Sequence, residues 1–216
     1  MRTSQKSKDL RQDPLLLRDH FKPGGKLGIP LVNKSVVDIT AIKLIGSDQI
    51  SDRARISDKA KTVHFFKDDV KIEKYYSDPD KYLYRLAQYT HVLTPDYSLY
   101  PEMPLAVQII NTFKSRWCGA YWQEHNLSVI PTVSWSTAES FDFCFEGLER
   151  ETVVSISSIS SLKDKNGFLA GYNEMKKRIN PTQVLCYGAA FPEMGDEVIV
   201  VDYLEATGRS KLWAAG

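Results

Sequence analysis

Three aspartates follow two short apolar runs, and that placement is the strongest chemical signal in the chain. Asp68 and Asp69 come after Val63-His64-Phe65-Phe66, and Asp96 comes after His91-Val92-Leu93-Thr94-Pro95. If these runs are neighbouring parallel strands, their carboxyl ends lie side by side. Two or three carboxylates there would offer hard oxygen ligands for Mg²⁺ or Mn²⁺, or would divide acid and base roles. The same residues have a structural use: Asp68 or Asp69 caps a helix, and Asp96 makes an Asx-type turn after Pro95.

A second group follows later apolar runs. Ser134, Trp135 and Ser136 come after Val129-Ile130-Pro131-Thr132-Val133, Ser158 follows the run from Val153, and Tyr187 ends Val184-Leu185-Cys186-Tyr187. A large aromatic flanked by hydroxyls at a strand end makes a stacking platform for a base or sugar. Its structural alternative is a Trp that closes the end of the core. Gly188, next to Tyr187, would let a ligand approach the backbone closely.

The elements that position these residues alternate. Apolar runs at 63–66, 91–94, 129–133, 153–156, 184–187 and 198–201 read as strands, and Val36 to Ile45 alternates like another. Asp78, Pro79 and Asp80 open a helix with Tyr82, Leu83, Leu86 and Tyr89 on one face. The central helix starts near Pro104 and stops around Asn126, with Ala106, Ile109, Ile110, Phe113, Trp117, Ala120 and Tyr121 as its apolar stripe. Phe141 to Leu148 is expected as a short helix. Phe168, Tyr172, Met175 and Ile179 mark another, with Lys176, Lys177 and Arg178 in its last turn and Pro181 beyond. Ser47 to Lys61 reads as a long polar loop.

Strands alternating with helices imply a mostly parallel sheet and an α/β fold, with ligands taken beyond the strands' carboxyl ends. Six or seven strands in 216 residues predict an incomplete or shortened TIM-barrel-like sheet, with an open doubly wound sheet as the alternative. Residues 1–13 read as a flexible polar tail and 14–216 as a single α/β domain.

Composition narrows the function. A net charge of +1 carries no footprint for non-specific nucleic-acid binding. Three cysteines, widely spaced and odd in number, suit a reducing compartment rather than a disulfide framework or zinc site. No secretory leader and no bilayer-length apolar run stand out, so a soluble, cytoplasmic protein is expected. Gly24-Gly25-Lys26-Leu27-Gly28 is no phosphate loop, because Leu27 stands where Ser or Thr is required and His20 where the first glycine belongs. The four histidines show no paired spacing, and there is no Gly-x-Ser-x-Gly elbow.

Several stretches together resemble a known family. They are Val63-His64-Phe65-Phe66-Lys67-Asp68-Asp69, Leu93-Thr94-Pro95-Asp96-Tyr97-Ser98-Leu99-Tyr100 and Met103-Pro104-Leu105-Ala106, with Trp117-Cys118-Gly119-Ala120-Tyr121-Trp122-Gln123 and Ile130-Pro131-Thr132-Val133-Ser134-Trp135-Ser136. The family is the phage- and prophage-associated bacterial one catalogued as domain of unknown function 4417. The resemblance covers roughly Gly28 to Gly188 and implies occurrence in phages, prophages and mobile elements, in the host cytoplasm where phage-encoded. It implies no activity, cofactor or catalytic residue.

Two functional expectations follow. The favoured one is a non-catalytic binding protein acting on a host factor or a small ligand. The alternative is a metal-assisted enzyme acting on a nucleotide or nucleic acid at the strand-end rim. There Asp68, Asp69 and Asp96 would be catalytic, Trp135 and Tyr187 would stack the substrate, and Ser134, Ser136 and Ser158 would donate hydrogen bonds.

Overall fold

The computed structural model describes residues 13–159 and 164–201. All but Asp13 of the expected tail lies outside the described residues, as do Ser160 and Ser161. In chain order the elements are α1 (Pro14–Leu17), β1 (Leu44–Gly46), α2 (Ile56–Lys59), β2 (Thr62–His64), α3 (Asp69–Ile72), α4 (Lys74–Ser77), α5 (Pro79–Leu86) and β3 (His91–Leu93). There follow α6 (Leu105–Glu124), β4 (Val129–Ile130), a 3₁₀ turn (Ala138–Asp142), β5 (Val153–Ser157), α7 (Lys165–Ile179), β6 (Gln183–Tyr187), a second 3₁₀ turn (Pro192–Met194) and β7 (Val198–Val201).

Every ladder is parallel and follows chain order, β1-β2-β3-β4 in one sheet and β5-β6-β7 in the other. Among the described residues a single parallel bridge, Thr132 to Ser155, links them. Two backbone bonds hold it, Val133 N–H to Ser155 O and Ser155 N–H to Pro131 O, both 2.8 Å. No ladder joins β7 to β1 among the described residues, so they form no closed barrel. Nor does the strand order reverse, as a doubly wound sheet would require.

Side chains alternate across the sheets as the period of two demands. Leu44, Leu93, Ile130, Val153, Leu185, Tyr187 and Val201 meet in one cluster between the two sheets. Their outward neighbours pack under the helices: Ile45, Val63, Val92 and Val129 with α5 and α6, and Val154, Ile156, Val184 and Cys186 with α7. Ile39, fully buried, adds to the first cluster from the segment before β1.

The expected strand from Val36 shortens to Leu44–Gly46. Asp38 accepts from both the Thr40 N–H (2.9 Å) and hydroxyl (2.8 Å), and Ile42 N–H turns back to Ile39 O. That local turn competes with the extended conformation and wins. The Ser47–Lys61 loop contains the one-turn α2. The helix expected at 141–148 gives way to the 3₁₀ turn ending at Asp142. Beyond it Gly147 has φ 73°, and a Cβ there would meet Pro30 O at 2.3 Å, so the chain must turn at a glycine.

Helix α6 departs from its expected stripe. Its first half turns Ala106, Val107 and Ile110 outward and buries Gln108, Asn111, Thr112, Ser115 and Arg116, while Leu105, on the inward side with Gln108 and Thr112, is exposed at the helix's first position. Of the expected stripe, Ala106 and Ile110 face out, Ile109 and Phe113 pack partly buried against the core, and Trp117, Ala120 and Tyr121 are buried as the periodicity indicates.

Arg116 explains the inversion. The side chain is 2% exposed and makes no ion pair among the described residues. Its guanidinium donates to three carbonyls: Thr132 (2.7 Å), Cys144 (2.9 Å) and Glu146 (3.2 Å). Burial pulls its pKa down to about 10, which leaves it charged at neutral pH. Around it the hydroxyls of Thr94 and Ser115 lie 3.1 Å apart and those of Thr132 and Ser155 2.9 Å apart. Thr132 donates to Thr94 through its N–H (to Oγ1) and its hydroxyl (to the carbonyl), both at 2.8 Å, tying β3, β4 and β5 to the helix.

The expected consequence of Arg116→Met is a loss of about 3 kcal/mol in unfolding free energy. Three buried carbonyls lose their donors at roughly 1–3 kcal/mol each, and relaxation recovers part of that. Arg116→Lys, with one ammonium for three acceptors, should lose about half as much. Urea unfolding measures both; an unchanged midpoint for the Met variant would remove Arg116 from this role.

Candidate functional site

The carboxyl ends of β2, β3 and β4 carry the polar groups. α3 begins at Asp69, so that carboxylate stands at the rim rather than along a strand. It caps no helix; it accepts the Ser98 N–H at 3.1 and 3.3 Å and the Ser98 hydroxyl at 3.0 Å. Ser98 is held in turn by Asn111 Nδ2, which donates to its carbonyl at 2.8 Å, and its Oγ lies 3.0 Å from the Tyr100 hydroxyl. The inverted face of α6 thereby orients the loop after β3.

Asp96 sits within reach of the Asp69 charge and accepts a short hydrogen bond from Ser134 Oγ, across from the end of β4. Burial pushes its carboxyl up to about 6; the Ser134 bond opposes that shift and the Asp69 charge adds to it. Neither Asp69 nor Asp96 has a cationic partner among the described residues. Such a pair can take up a proton near neutral pH or receive a cation brought by a ligand.

The other expected residues disperse. Asp68 has a side chain 73% exposed and pairs with Lys71 at 2.5 Å, so it faces solvent beside the site. Trp135 packs against Phe168 (5.1 Å between ring centroids) and over Gly171 of α7, where a Cβ would lie 2.2 Å from the indole. It closes the end of the core under α7. Ser136 N–H donates to Ser140 Oγ (3.0 Å), which fixes the 3₁₀ turn.

Ser158 is buried and donates to Ala189 O at 2.7 Å. Tyr187, 1% exposed, stacks on Phe66 at 4.4 Å and lies 5.0 Å from the His64 ring, filling the space between the sheets. Of the eight residues, the structure brings Asp69, Asp96 and Ser134 together. Among the described residues no three His, Cys, Asp or Glu side chains converge on a cation position.

Sequence reasoning missed Ser98 and Asn111. The Asp-Tyr-Ser spacing after Pro95 was a weak signal for the first; an Asn on a helix carried none for the second. Beside the pair lies a cavity of about 10 Å³ lined by Pro95, Tyr97, Asn111, Arg116, Thr132 and Ser134. That is room for about one water. A hollow of about 240 Å³ lies at the other end of α6, between Phe21, Lys22, Leu31 and Gln123.

The Asp96 shift has a definite sign. A carboxyl whose folded pKa is raised binds its proton more tightly when folded, so its contribution to stability falls as pH rises from about 4 to about 6. Asp96→Asn should abolish that part of the pH dependence and raise stability at pH 7 by about 2–3 kcal/mol, from roughly two pKa units at 1.36 kcal/mol each. Urea unfolding of both proteins at pH 4, 5, 6 and 7 checks it; parallel curves across that range would refute the burial of the charge.

Comparison with known proteins adds identity at the level of family. The chain is similar to the Gene 1 protein of Mycobacterium phage L5, 38% identical over 179 residues that cover 82% of this chain and 77% of that protein. It is also similar to the Gene 1 protein of Mycobacterium phage D29, 43% identical over 129 residues, which are 58% of this chain and 48% of that one. No solved structure matches. The family model described as Domain of unknown function (DUF4417) matches residues 21–204, and the chain belongs to that family.

Proposed function

We propose that this protein is a non-catalytic binding protein that acts on a host factor in the cytoplasm, and that its binding face is the β3–β4 rim with the outward side of α6. The observation that carries this reading is the inverted first half of α6. Leu105, Val107 and Ile110 are 41%, 40% and 52% exposed while polar neighbours are buried. Tyr100, joined to the site through Ser98, is 56% exposed, and Val70, next to Asp69, is 90% exposed. Apolar side chains grouped around polar ones mark a protein-binding face more than a solvent face.

The chemistry narrows the partner. Asp69 and Asp96 have no cationic partner among the described residues, and Glu102, three residues before α6, adds a further exposed carboxylate. The complementary surface is a protein segment with apolar side chains beside a Lys or Arg. A cavity of about 10 Å³ is far below the several hundred that small-ligand sites occupy, which favours a macromolecular partner. The fold-level reading that accompanies this is an incomplete barrel. Its support is the chain-ordered parallel strands and the single cluster between the two sheets.

The second reading, an enzyme of nucleotides or nucleic acid at the same rim, draws on Asp96. A carboxyl titrating near 6 beside a second carboxylate suits acid–base work. Its aspartates would then be Asp69 and Asp96, helped by Mg²⁺ or Mn²⁺, with Ser134 as a donor.

The test separates the two. A partner captured from host extract would be identified, purified and titrated calorimetrically against wild type, Ile110→Asp and Asp69→Asn/Asp96→Asn. Each variant should weaken binding at least tenfold while circular dichroism stays unchanged. An identified partner bound equally by all three proteins overturns the assignment of this face. Thermal shifts with nucleotides, with and without Mg²⁺ or Mn²⁺, that vanish in the double variant would favour the enzyme instead.

A further inference from the structure

Away from the rim, Trp117 in the second half of α6 helps to hold a cation. Tyr76, at the end of α4, and Trp117 stand nearly perpendicular, 84° apart with centroids at 5.5 Å. The Arg18 guanidinium fills the corner between them, 3.8 Å from the Trp117 ring and 4.4 Å from Tyr76. One nitrogen donates to Tyr76 O at 2.8 Å, and Nη1 is enclosed without a hydrogen-bond partner. Trp117 is fully buried, its far face stacked on Tyr121 at 4.9 Å. Two ring faces and a carbonyl in the plane of the fork are what a guanidinium requires.

The segment carrying Arg18 has little else to hold it. None of the four residues of α1 is buried, and Leu15, Leu16 and Leu17 are 37%, 66% and 48% exposed. The hydrogen bonds of Leu15, Leu16, Leu17 and the Arg18 N–H are all local, to Asp13 or Pro14. Firm attachment resumes at Phe21, which packs into the core, and at Lys22, whose carbonyl accepts from Leu31 N–H. The Arg18 side chain, with the His20 ring edge-on to Trp117 at 6.1 Å, therefore offsets the ordering of the whole stretch. Three neighbouring leucines are left in water.

We propose that the Tyr76–Trp117 corner is an arginine-binding site occupied in cis by Arg18 as a latch. Asp13–His20 is then a strap that swings off α6 and yields the corner to an arginine on a partner polypeptide. The strap itself defines the ligand: an arginine directly after apolar residues. Because the corner lies apart from Asp96, this site stands or falls independently of the rim.

The probe is a synthetic peptide of residues 13–21, titrated against the full chain by calorimetry and by ¹⁹F NMR of 5-fluorotryptophan-labelled protein. Arg18→Ala should bind the peptide at least tenfold more tightly than wild type does, because the latch no longer competes. The Trp117 resonance, assigned with Trp117→Phe, should return towards its wild-type position as the peptide binds. A peptide with Ala in place of the arginine should bind neither protein. Equal affinity for both peptides, or no binding to Arg18→Ala, overturns the proposal. Should that variant not fold, Arg18→Lys serves in its place, since a lysine cannot fill the corner with a planar fork. Hydrogen exchange gives a second reading on the same samples: amides 16–18 should exchange faster in the Arg18 variant, and equal rates would count against a latch.

Discussion

The buried guanidinium of Arg116 is the constraint around which this structure is arranged. A charge placed there has to be surrounded by acceptors, and the acceptors it finds are three backbone carbonyls from two stretches that share no ladder. Thr132 follows β4, while Cys144 and Glu146 belong to the irregular chain before β5. Among the described residues the single bridge between the two sheets lies at Thr132. Where sheet hydrogen bonding is thinnest, a side chain supplies the cross-links. Charged hydrogen bonds are stronger than neutral ones, and inside the protein they are screened less.

That constraint propagates to the rim. Because Arg116 and Ser115 must face inward, their helical neighbours Asn111, Thr112 and Gln108 face inward too, at the spacings of three and four that define one side of a helix. Asn111 then holds Ser98, and Ser98 holds Asp69 beside Asp96. The same rotation turns Ala106, Val107 and Ile110 to the outside, whereas Leu105, three residues before Gln108, shares the inward side and is exposed at the first position of the helix. Buried polar groups and an exposed apolar face are thus two results of one helical phase.

The rim is kept at a cost to the fold. Two carboxylates stand within reach of each other's charge, one of them shifted to about 6 by burial, and no cation among the described residues relieves them. A protein selected for stability alone would place an amide or an apolar residue at 96. Strain of this kind concentrates where a surface is used. The matches to two mycobacteriophage proteins associate the family of this chain with phages. No helix among the described residues is long and apolar enough to cross a membrane.

The sequence by itself determined the parallel α/β rhythm. The apolar runs of β2 to β7, the proline start of α5, the basic last turn of α7 and the length of α6 were all legible, because these signals act between residues close in the chain, although the Asp78 side chain does not cap α5 as expected. It also indicated that Asp69, Asp96 and Ser134 stand at strand ends. What it left undecided was which polar groups point where. Asp68 and Asp69 are adjacent and chemically identical, yet one faces water and the other holds Ser98. Trp135 and Tyr187 look like platforms, yet the tertiary structure covers the first with α7 and the second with Phe66 and His64. The phase of the first half of α6 followed its buried cation rather than its apolar stripe. Each of these was decided only by packing between distant segments: a guanidinium, an indole or a carboxylate settles where partners close around it, and those partners are brought together by the fold.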